Sequence, residues 1–183
     1  KKYSSDKFLM FDNVRDFAAS SGEVKKFKPD IIFDDYIQLI ACDGRQDQRR
    51  LQIEQLVNDY KWLAKETNAV VVLASQLNRM IERVIETTII YKNRDIEKRI
   101  DPIPKMSDLA ESGSIEQVAE NVFFSYYDYK VQGERGKGKN ILTISAGKVR
   151  YGESGVVDLA YDGDKCKIHN SIGEMINDTL PFK

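Results

Sequence analysis

Two adjacent aspartates end an apolar run in the stretch "KPDIIFDDYIQLI", residues 28–40. The run at 31–33 predicts a buried strand, and Asp34 and Asp35 follow it directly. Carboxylates are rarely buried unless they are paired or bind a metal. The two aspartates are therefore candidates for a Mg²⁺ site at the end of a strand, and the plain alternative is that they cap a turn.

A second apolar strand, "VVVLASQ" at residues 70–76, also ends polar, with Gln76 as its last residue. In an α/β sheet, ligands lie at the carboxyl ends of the parallel strands, so both ends are expected at one functional edge. An apolar strand that ends in Asp is the Walker B pattern, whose carboxylate holds Mg²⁺ against the β- and γ-phosphates. A neutral amide beside it can sense the γ-phosphate, although a satisfied loop glutamine has the same appearance.

Two further stretches are suited to phosphate binding. In "GKVRYG", Lys148 and Arg150 are two residues apart and are expected on one face of an extended segment. A guanidinium is planar, always charged and able to bind phosphate bidentately, but a surface pair is the default reading of such residues alone. In "ESGSIEQ", backbone N–H groups at a helix start can bind anions, and Gly113 lets a phosphate approach closely.

Composition leaves the function class open. The chain has 183 residues and a net charge of −1, which favours one domain and neither requires nor excludes a nucleic acid partner. Cys42 and Cys166 are too few for a disulfide framework or a zinc site and fit a cytosolic setting. His169, the only histidine, is expected to be structural. No apolar run approaches the roughly 20 residues that span a bilayer and no signal peptide opens the chain, so no membrane contact is expected.

The elements that must position these residues alternate between strands and helices. Apolar residues recur at three- and four-residue spacing between Ile53 and Ala64, which predicts a helix between the two apolar strands. Further strands are predicted at 7–13, 122–129 and 141–148, with a hairpin at 155–171 and a loop before Ser107. This order predicts an α/β fold: a mostly parallel sheet with helices on both faces and antiparallel hairpins at one edge.

Four linked stretches resemble the carboxyl half of the ATPase domain of DnaB-type replicative DNA helicases. They are "DIIFDDYIQLI", "QIEQLVNDYKWLAKETNAVVVLASQLNR", "SDLAESGSIEQVAENVFF" and "SAGKVRYGESGVVDLAY". The resemblance makes residues 1–171 part of a RecA-like ATPase domain and leaves 172–183 as a tail. It implies ATP and Mg²⁺ as cofactors, a homohexameric ring with ATP sites between subunits, and translocation on single-stranded DNA. It also implies a bacterial cytoplasm, at the nucleoid or in a phage-infected cell, with primase and a helicase loader as candidate partners.

Matched residue by residue, the resemblance places Asp35 at the Mg²⁺ position, because the residues that follow it fix the register. Asp34 falls where the family usually has an apolar residue. Counting from the apolar run instead makes Asp34 the ligand and Asp35 a water-activating acid, and this alternative stays open. Gln76 matches the γ-phosphate sensor. Lys148 and Arg150 match the basic pair that reaches the ATP site of the neighbouring subunit.

The resemblance also implies a DNA-binding segment that faces the central channel, formed by Glu111, Ser112 and Gly113. The sequence departs from the family here, because Ala110 stands where a basic residue is common and Val118 where an acidic one is common. Three basic residues are candidates to replace the lost charge: Arg79, Arg83 and Lys105.

The phosphate-loop pattern Gly-x-x-x-x-Gly-Lys-Ser/Thr does not occur in the sequence. In the family, this loop and the catalytic glutamate lie upstream of the matched region. Because the chain also begins with Lys, it is expected to be a fragment that does not hydrolyse ATP by itself. Two alternatives remain open: a RecA-, RadA- or KaiC-like ATPase, and a non-catalytic module that binds DNA or a ring partner.

Overall fold

The computed structural model describes residues 2–4, 7–12, 16–40, 49–77, 103–109 and 113–179. The predictions for Arg79, Arg83, Glu111 and Ser112 therefore lie outside the described residues. The chain divides into two compact units: unit 1 comprises 1–77 and 109–119, and unit 2 comprises 78–108 and 120–183. None of the helices in these described segments has the length and apolar character needed to cross a bilayer.

Unit 1 contains the predicted succession of strands and helices. Its elements are β1 (Lys2–Ser4), β2 (Leu9–Phe11), α1 (Phe17–Phe27), β3 (Ile31–Asp34), a 3₁₀ helix (Ile37–Leu39), α2 (Arg49–Thr67), β4 (Val70–Leu73) and α3 (Gly113–Val118). β1 and β2 pair antiparallel, whereas β3 and β4 pair parallel, with Ile31 opposite Val70 and Asp34 opposite Leu73. The predicted parallel pairing of the two polar-ended strands is confirmed.

The apolar stripe of α2 holds unit 1 together. Its buried residues are Ile53, Leu56, Val57, Tyr60 and Leu63, as the spacing predicts. Ile37 and Ile53 are each only 1% exposed, and Leu73 and Ile115 pack against their cluster. Each such side chain contributes roughly 1.5–3 kcal/mol on burial. The core therefore fixes the residues just after β3 and at the end of β4, where the candidate site lies.

The other face of the parallel pair is open. Ile31 and Phe33 are 51% and 75% exposed, and their partners across the pair, Val70 and Val72, are 61% and 43% exposed. Partnered residues of neighbouring strands share a face, so these four side chains form one apolar patch. We call this patch the open face of unit 1.

Unit 2 is built around a four-stranded antiparallel sheet in the order β5-β6-β7-β8. Its elements are a 3₁₀ helix (Met106–Asp108), β5 (Asn121–Tyr126), α4 (Asp128–Gln132), a second 3₁₀ helix (Gly133–Arg135), β6 (Ile141–Val149), β7 (Val156–Asp162), β8 (Lys167–His169) and α5 (Ile172–Thr179). The predicted α/β class and the predicted hairpin of β7 and β8 are confirmed. Within the described segments, parallel pairing is confined to β3 and β4. β6, β7 and β8 pair antiparallel, because the connections between them are too short for parallel crossovers. The segment expected to be a tail begins as α5, whose Met175 is buried.

Candidate functional site

The ends of β3 and β4 stay paired beyond the strands themselves. The Ala74 N–H donates to the Asp34 carbonyl over 2.9 Å, and the Ile37 N–H donates to the Ala74 carbonyl over 3.0 Å. The two aspartates and the segment at residues 74–76 are therefore held at one carboxyl edge of the parallel pair. This is the edge where α/β sheets bind their ligands.

The side chain of Gln38, three residues after Asp35, adds further hydrogen bonds between the ends of β3 and β4. Gln38 Nε2 donates to Ser75 Oγ over 2.9 Å, and the Gln76 N–H donates to Gln38 Oε1 over 3.3 Å. Arg49 Nη2 in turn donates to the Gln38 carbonyl over 3.0 Å. The backbone of Gln76 is thus fastened to the turn that follows Asp35, while the Gln76 side chain is exposed.

The two aspartates have different surroundings. Asp34 is half-buried and accepts a hydrogen bond from the Tyr60 hydroxyl of α2. Tyr60 is 3% exposed, and its burial, followed by the hydrogen bond and charge of Asp34, raises the pKa of Tyr60, which keeps the hydroxyl protonated as a donor. Asp35 is exposed, lies just past β3 and is joined to Tyr36 by a cis peptide bond. Asp34 is therefore engaged with α2, whereas the Asp35 carboxylate faces solvent.

The pairing of Asp34 with Tyr60 leads to a stability prediction. Tyr60→Phe removes the donor and leaves a half-buried carboxylate poorly satisfied, so we expect a loss of about 1–3 kcal/mol in the free energy of unfolding. Urea unfolding followed by circular dichroism measures this change. Tyr127→Phe is the matched control, because the Tyr127 hydroxyl donates only to an exposed backbone carbonyl, that of Lys139.

Replacing both partners of this pair with apolar groups removes the unsatisfied carboxylate. The double variant Asp34→Leu, Tyr60→Phe is therefore expected to recover most of the lost stability. Equal losses for Tyr60→Phe and Tyr127→Phe, or no recovery in the double variant, would contradict an energetically significant hydrogen bond.

The exposed Asp35 carboxylate at this edge suits Mg²⁺. In the described ranges, His, Cys, Asp and Glu side chains do not gather in groups of three or more that could form a metal site. Mg²⁺ is commonly held by one or two carboxylates together with waters and substrate phosphates, and does not need a cage of protein ligands. An exposed Asp35 fits that role.

In unit 2, Arg150 lies one residue past β6 and is bound to a carboxylate. Its Nη1 donates to Glu120 Oε1 and Oε2 over 2.8 and 2.7 Å, and its backbone N–H donates to the Glu120 carbonyl over 3.1 Å. The hydrogen bond to Glu120, and then its charge, raise the pKa of Arg150, so the guanidinium stays positive. No sequence pattern indicates Glu120, which offers Arg150 a pair of oxygens like those of a phosphate.

A β-bulge precedes this basic pair. Val122 pairs with Lys148 and Phe123 with Ala146, so Gly147 is the additional residue in β6. A Cβ at Gly147 would overlap the Phe124 ring, which is why glycine stands there. Bulges re-aim the side chains near them. From the sequence, Lys148 and Arg150 are expected on one face because side chains alternate along a strand. Lys148 lies within β6 but Arg150 lies beyond its end, so this alternation does not extend to Arg150.

The described part of the DNA-binding candidate begins at Gly113, the first residue of α3. A Cβ built there would lie 3.1 Å from Nη2 of Arg50, so a guanidinium stands beside this glycine. Arg50 could not be linked to Gly113 from the sequence, because it lies 63 positions earlier in the chain and no local pattern joins the two. Lys105, in unit 2, is exposed, and its backbone N–H donates to Asp108 Oδ2 over 2.7 Å.

Comparisons with known proteins agree with this arrangement. The family described as "DnaB-like helicase C terminal domain" matches residues 11–170. The replicative DNA helicase DnaB of Pasteurella multocida (strain Pm70) is 38% identical over 140 residues, which is 76% of this chain and 27% of that protein.

Two solved structures are similar to the chain as well. One is a DnaB-like replicative helicase, described with its interactions with primase, and the other is a separately solved ATPase domain. Each has a TM-score of 0.67 and 32% identity, and each match covers 84% of this chain. The matches cover 33% of the first structure and 49% of the second.

These findings define the class: the fold is α/β and RecA-like. The chain belongs to the DnaB-like helicase C-terminal domain family, as the four linked stretches predict. Nucleotide binding is what this ATPase family implies. The chain spans about a quarter of the length of the curated relatives that it matches.

Proposed function

We propose that this chain is part of a hexameric, ATP-dependent replicative DNA helicase that moves along single-stranded DNA and unwinds the duplex. The observation that carries the proposal is the shared edge of β3 and β4, where the backbone of Gln76 is bound to the turn that follows Asp35, in a chain of this family. ATP and Mg²⁺ are the proposed cofactors, and the bacterial cytoplasm, at the nucleoid or during phage infection, is the proposed location.

Within one subunit, Asp35 would hold Mg²⁺ through water, and its role would be to keep beside the β- and γ-phosphates of ATP the positive charge that such an ion supplies. The hydrogen bond between Asp34 and Tyr60 favours Asp35 over Asp34 as the Mg²⁺ ligand, since it directs the Asp34 carboxylate to α2. Gln76 senses the γ-phosphate through an exposed amide that adds no charge to an already anionic site.

Between subunits, Lys148 and Arg150 act on the ATP held by the neighbour. For this role Arg150 exchanges Glu120 for phosphate oxygens. The side chains of Arg150 and Glu120 are 50% and 44% exposed, and exposed ion pairs are weak. A phosphate group, with more negative charge and a similar set of oxygens, competes well for the same guanidinium.

We propose that the phosphate loop and the catalytic glutamate are supplied by the part of the ATPase domain that precedes residues 1–171 in the whole protein. The match covers only 49% of the separately solved ATPase domain, which leaves room for such a part. The open face of unit 1 supports this, because a patch that includes a 75% exposed phenylalanine is normally covered by further chain. Its occupant is the remainder of the same domain.

The DNA-binding role goes to the segment Glu111, Ser112 and Gly113, with positive charge supplied by Arg79, Lys105 and Arg50. The guanidinium of Arg50 beside Gly113 supports this role, because it offers the charge that Ala110 lacks. Contacts of this kind are made to phosphates, so binding is expected to tolerate any base sequence and to weaken as salt rises.

Gly113→Val tests this segment. The nearest atom to the new side chain is the mobile end of Arg50, so the variant is expected to fold and to assemble. We expect single-stranded DNA affinity to fall about tenfold, because the side chain displaces Arg50 and obstructs close approach by phosphate. Fluorescence anisotropy with labelled oligonucleotides at several salt concentrations measures the loss. Unchanged affinity in an intact ring would show that Gly113 is not part of the DNA-binding surface.

Primase and a helicase loader are the proposed protein partners. A DnaB-like replicative helicase similar to this chain has been described with its interactions with primase. We therefore propose primase as a partner of the whole protein. A helicase loader is proposed from the family resemblance alone.

Unwinding of a forked DNA by the whole protein tests the proposed function. ATP- and Mg²⁺-dependent strand separation that requires a single-stranded tail is the expected result. ATP-driven strand exchange without unwinding would identify a recombinase of the RecA or RadA kind. DNA binding without any nucleotide turnover would identify a non-catalytic module.

A further inference from the structure

We infer that Gln38 is a positioning residue, which fixes the sensor Gln76 relative to the metal-binding Asp35. The inference rests on the proposed function, because it assigns Gln38 a role through these two residues. Gln38 does not need to touch the nucleotide for this role. It acts on the backbone of Gln76, which is the residue proposed to contact the nucleotide.

The hydrogen bonds of Gln38 run between two elements that are remote in the sequence. Its amide nitrogen donates to the Ser75 hydroxyl, and its amide oxygen accepts from the Gln76 N–H, 37 and 38 positions away. One carboxamide therefore uses both a donor and an acceptor to bind two consecutive residues. β4 ends at Leu73, and beyond Ala74 these two bonds hold the chain to the neighbouring turn.

The backbone of Gln38 is itself well anchored. The preceding residue, Ile37, is 1% exposed and lies in the core, and its N–H donates to Ala74. On the other side, Arg49 at the start of α2 binds the Gln38 carbonyl. The side chain therefore projects from a rigid turn, and the position of Gln76 is set by the same turn that follows Asp35.

This arrangement has a direct consequence for catalysis. Phosphoryl transfer depends mainly on the placement of charged and polar groups, and a misplacement of about 1 Å can cost about 10²-fold in rate. If Gln38 is lost, Asp35 still binds Mg²⁺ and ATP still binds, but Gln76 is no longer held at a fixed distance from them. The expected defect lies in the rate of turnover and not in the affinity for nucleotide.

Gln38→Leu tests the inference in the whole protein, because leucine has a similar size and makes neither hydrogen bond. We expect the DNA-stimulated kcat to fall about 10- to 100-fold, while the KM for ATP and the Kd of a non-hydrolysable ATP analogue change less than about twofold. Gln55→Leu is the matched control. It removes an exposed carboxamide that binds Asp59 within α2, and its kcat is expected to stay at the parent value.

A double-mutant cycle separates positioning from a merely structural role. In a Gln76→Ala background, Gln38→Leu is expected to lower kcat by less than about twofold more, because residues that act through one another are not additive. Ser75→Ala removes one of the two hydrogen bonds and is expected to show a smaller defect of the same kind. It also carries the test if Gln38→Leu does not assemble into rings.

The outcomes distinguish this inference from the proposed function. If Gln76→Ala lowers kcat but Gln38→Leu has no effect, or lowers kcat equally in both backgrounds, Gln38 does not position Gln76 and only the inference is overturned. If Gln76→Ala leaves kcat unchanged, the sensor role in the proposed function is wrong, and the inference falls with it.

Discussion

Asp35→Asn in the whole protein is expected to lower ATP turnover by at least about 10²- to 10³-fold, a loss typical of removing one preorganised electrostatic group from an active site. Asparagine keeps the size of the side chain but removes the charge that is proposed to hold Mg²⁺. Steady-state ATPase measurements across a range of Mg²⁺ concentrations, with circular dichroism as the check on folding, decide this.

Asp34→Asn is the matched control for that experiment. The amide oxygen of asparagine can still accept the hydrogen bond from Tyr60, so the fold is expected to survive. We expect turnover within about threefold of the parent protein, because no metal ligand has been lost and a threefold change is only about 0.65 kcal/mol. A severe loss for Asp34→Asn together with a mild loss for Asp35→Asn would show that Asp34, and not Asp35, is the metal ligand.

Arg150→Ala is expected to lower hydrolysis by the assembled ring by roughly 10³- to 10⁵-fold, the range found for arginines that act in trans in other phosphoryl-transfer enzymes. Nucleotide binding by isolated subunits is expected to be unchanged, because the proposed role of the arginine is at the neighbour's site. Filter binding of labelled ATP and ring ATPase assays measure the two quantities.

Lys165→Ala is the matched control for Arg150→Ala. Lys165 is an exposed basic residue of the same unit, in an ion pair with Asp162 at 3.5 Å, and its removal is expected to leave turnover unchanged. If Arg150→Ala also leaves the ring active, Arg150 is an ordinary surface arginine whose partner is Glu120.

The elements around the site could be predicted from the sequence because periodicity reports burial. The spacing of Ile53, Leu56, Val57 and Tyr60 predicts the buried face of α2, and the two apolar runs predict β3 and β4. The polar ends of these runs predict a functional edge, since parallel strands present their carboxyl ends together.

The side-chain connections within each unit could not be predicted in the same way. Gln38 and Ser75 are 37 positions apart, Asp34 and Tyr60 are 26 apart, and Arg150 and Glu120 are 30 apart. Which polar side chains meet depends on the register between elements, and periodicity reports only which face a residue occupies. The bulge at Gly147 is a further example, because the overlap that requires glycine arises from the Phe124 ring on the neighbouring strand.

In the proposed helicase, each ATP site is completed by Arg150 of a neighbouring subunit. The most direct test mixes Arg150→Ala subunits with Asp35→Asn subunits of the whole protein, each nearly inactive alone. A mixed ring can place an intact metal site from the first next to an intact arginine from the second, so part of the ATPase activity is expected to return. No recovery at any mixing ratio, in rings shown by fluorescence energy transfer to exchange subunits, would mean that Arg150 acts within its own subunit and would contradict the account.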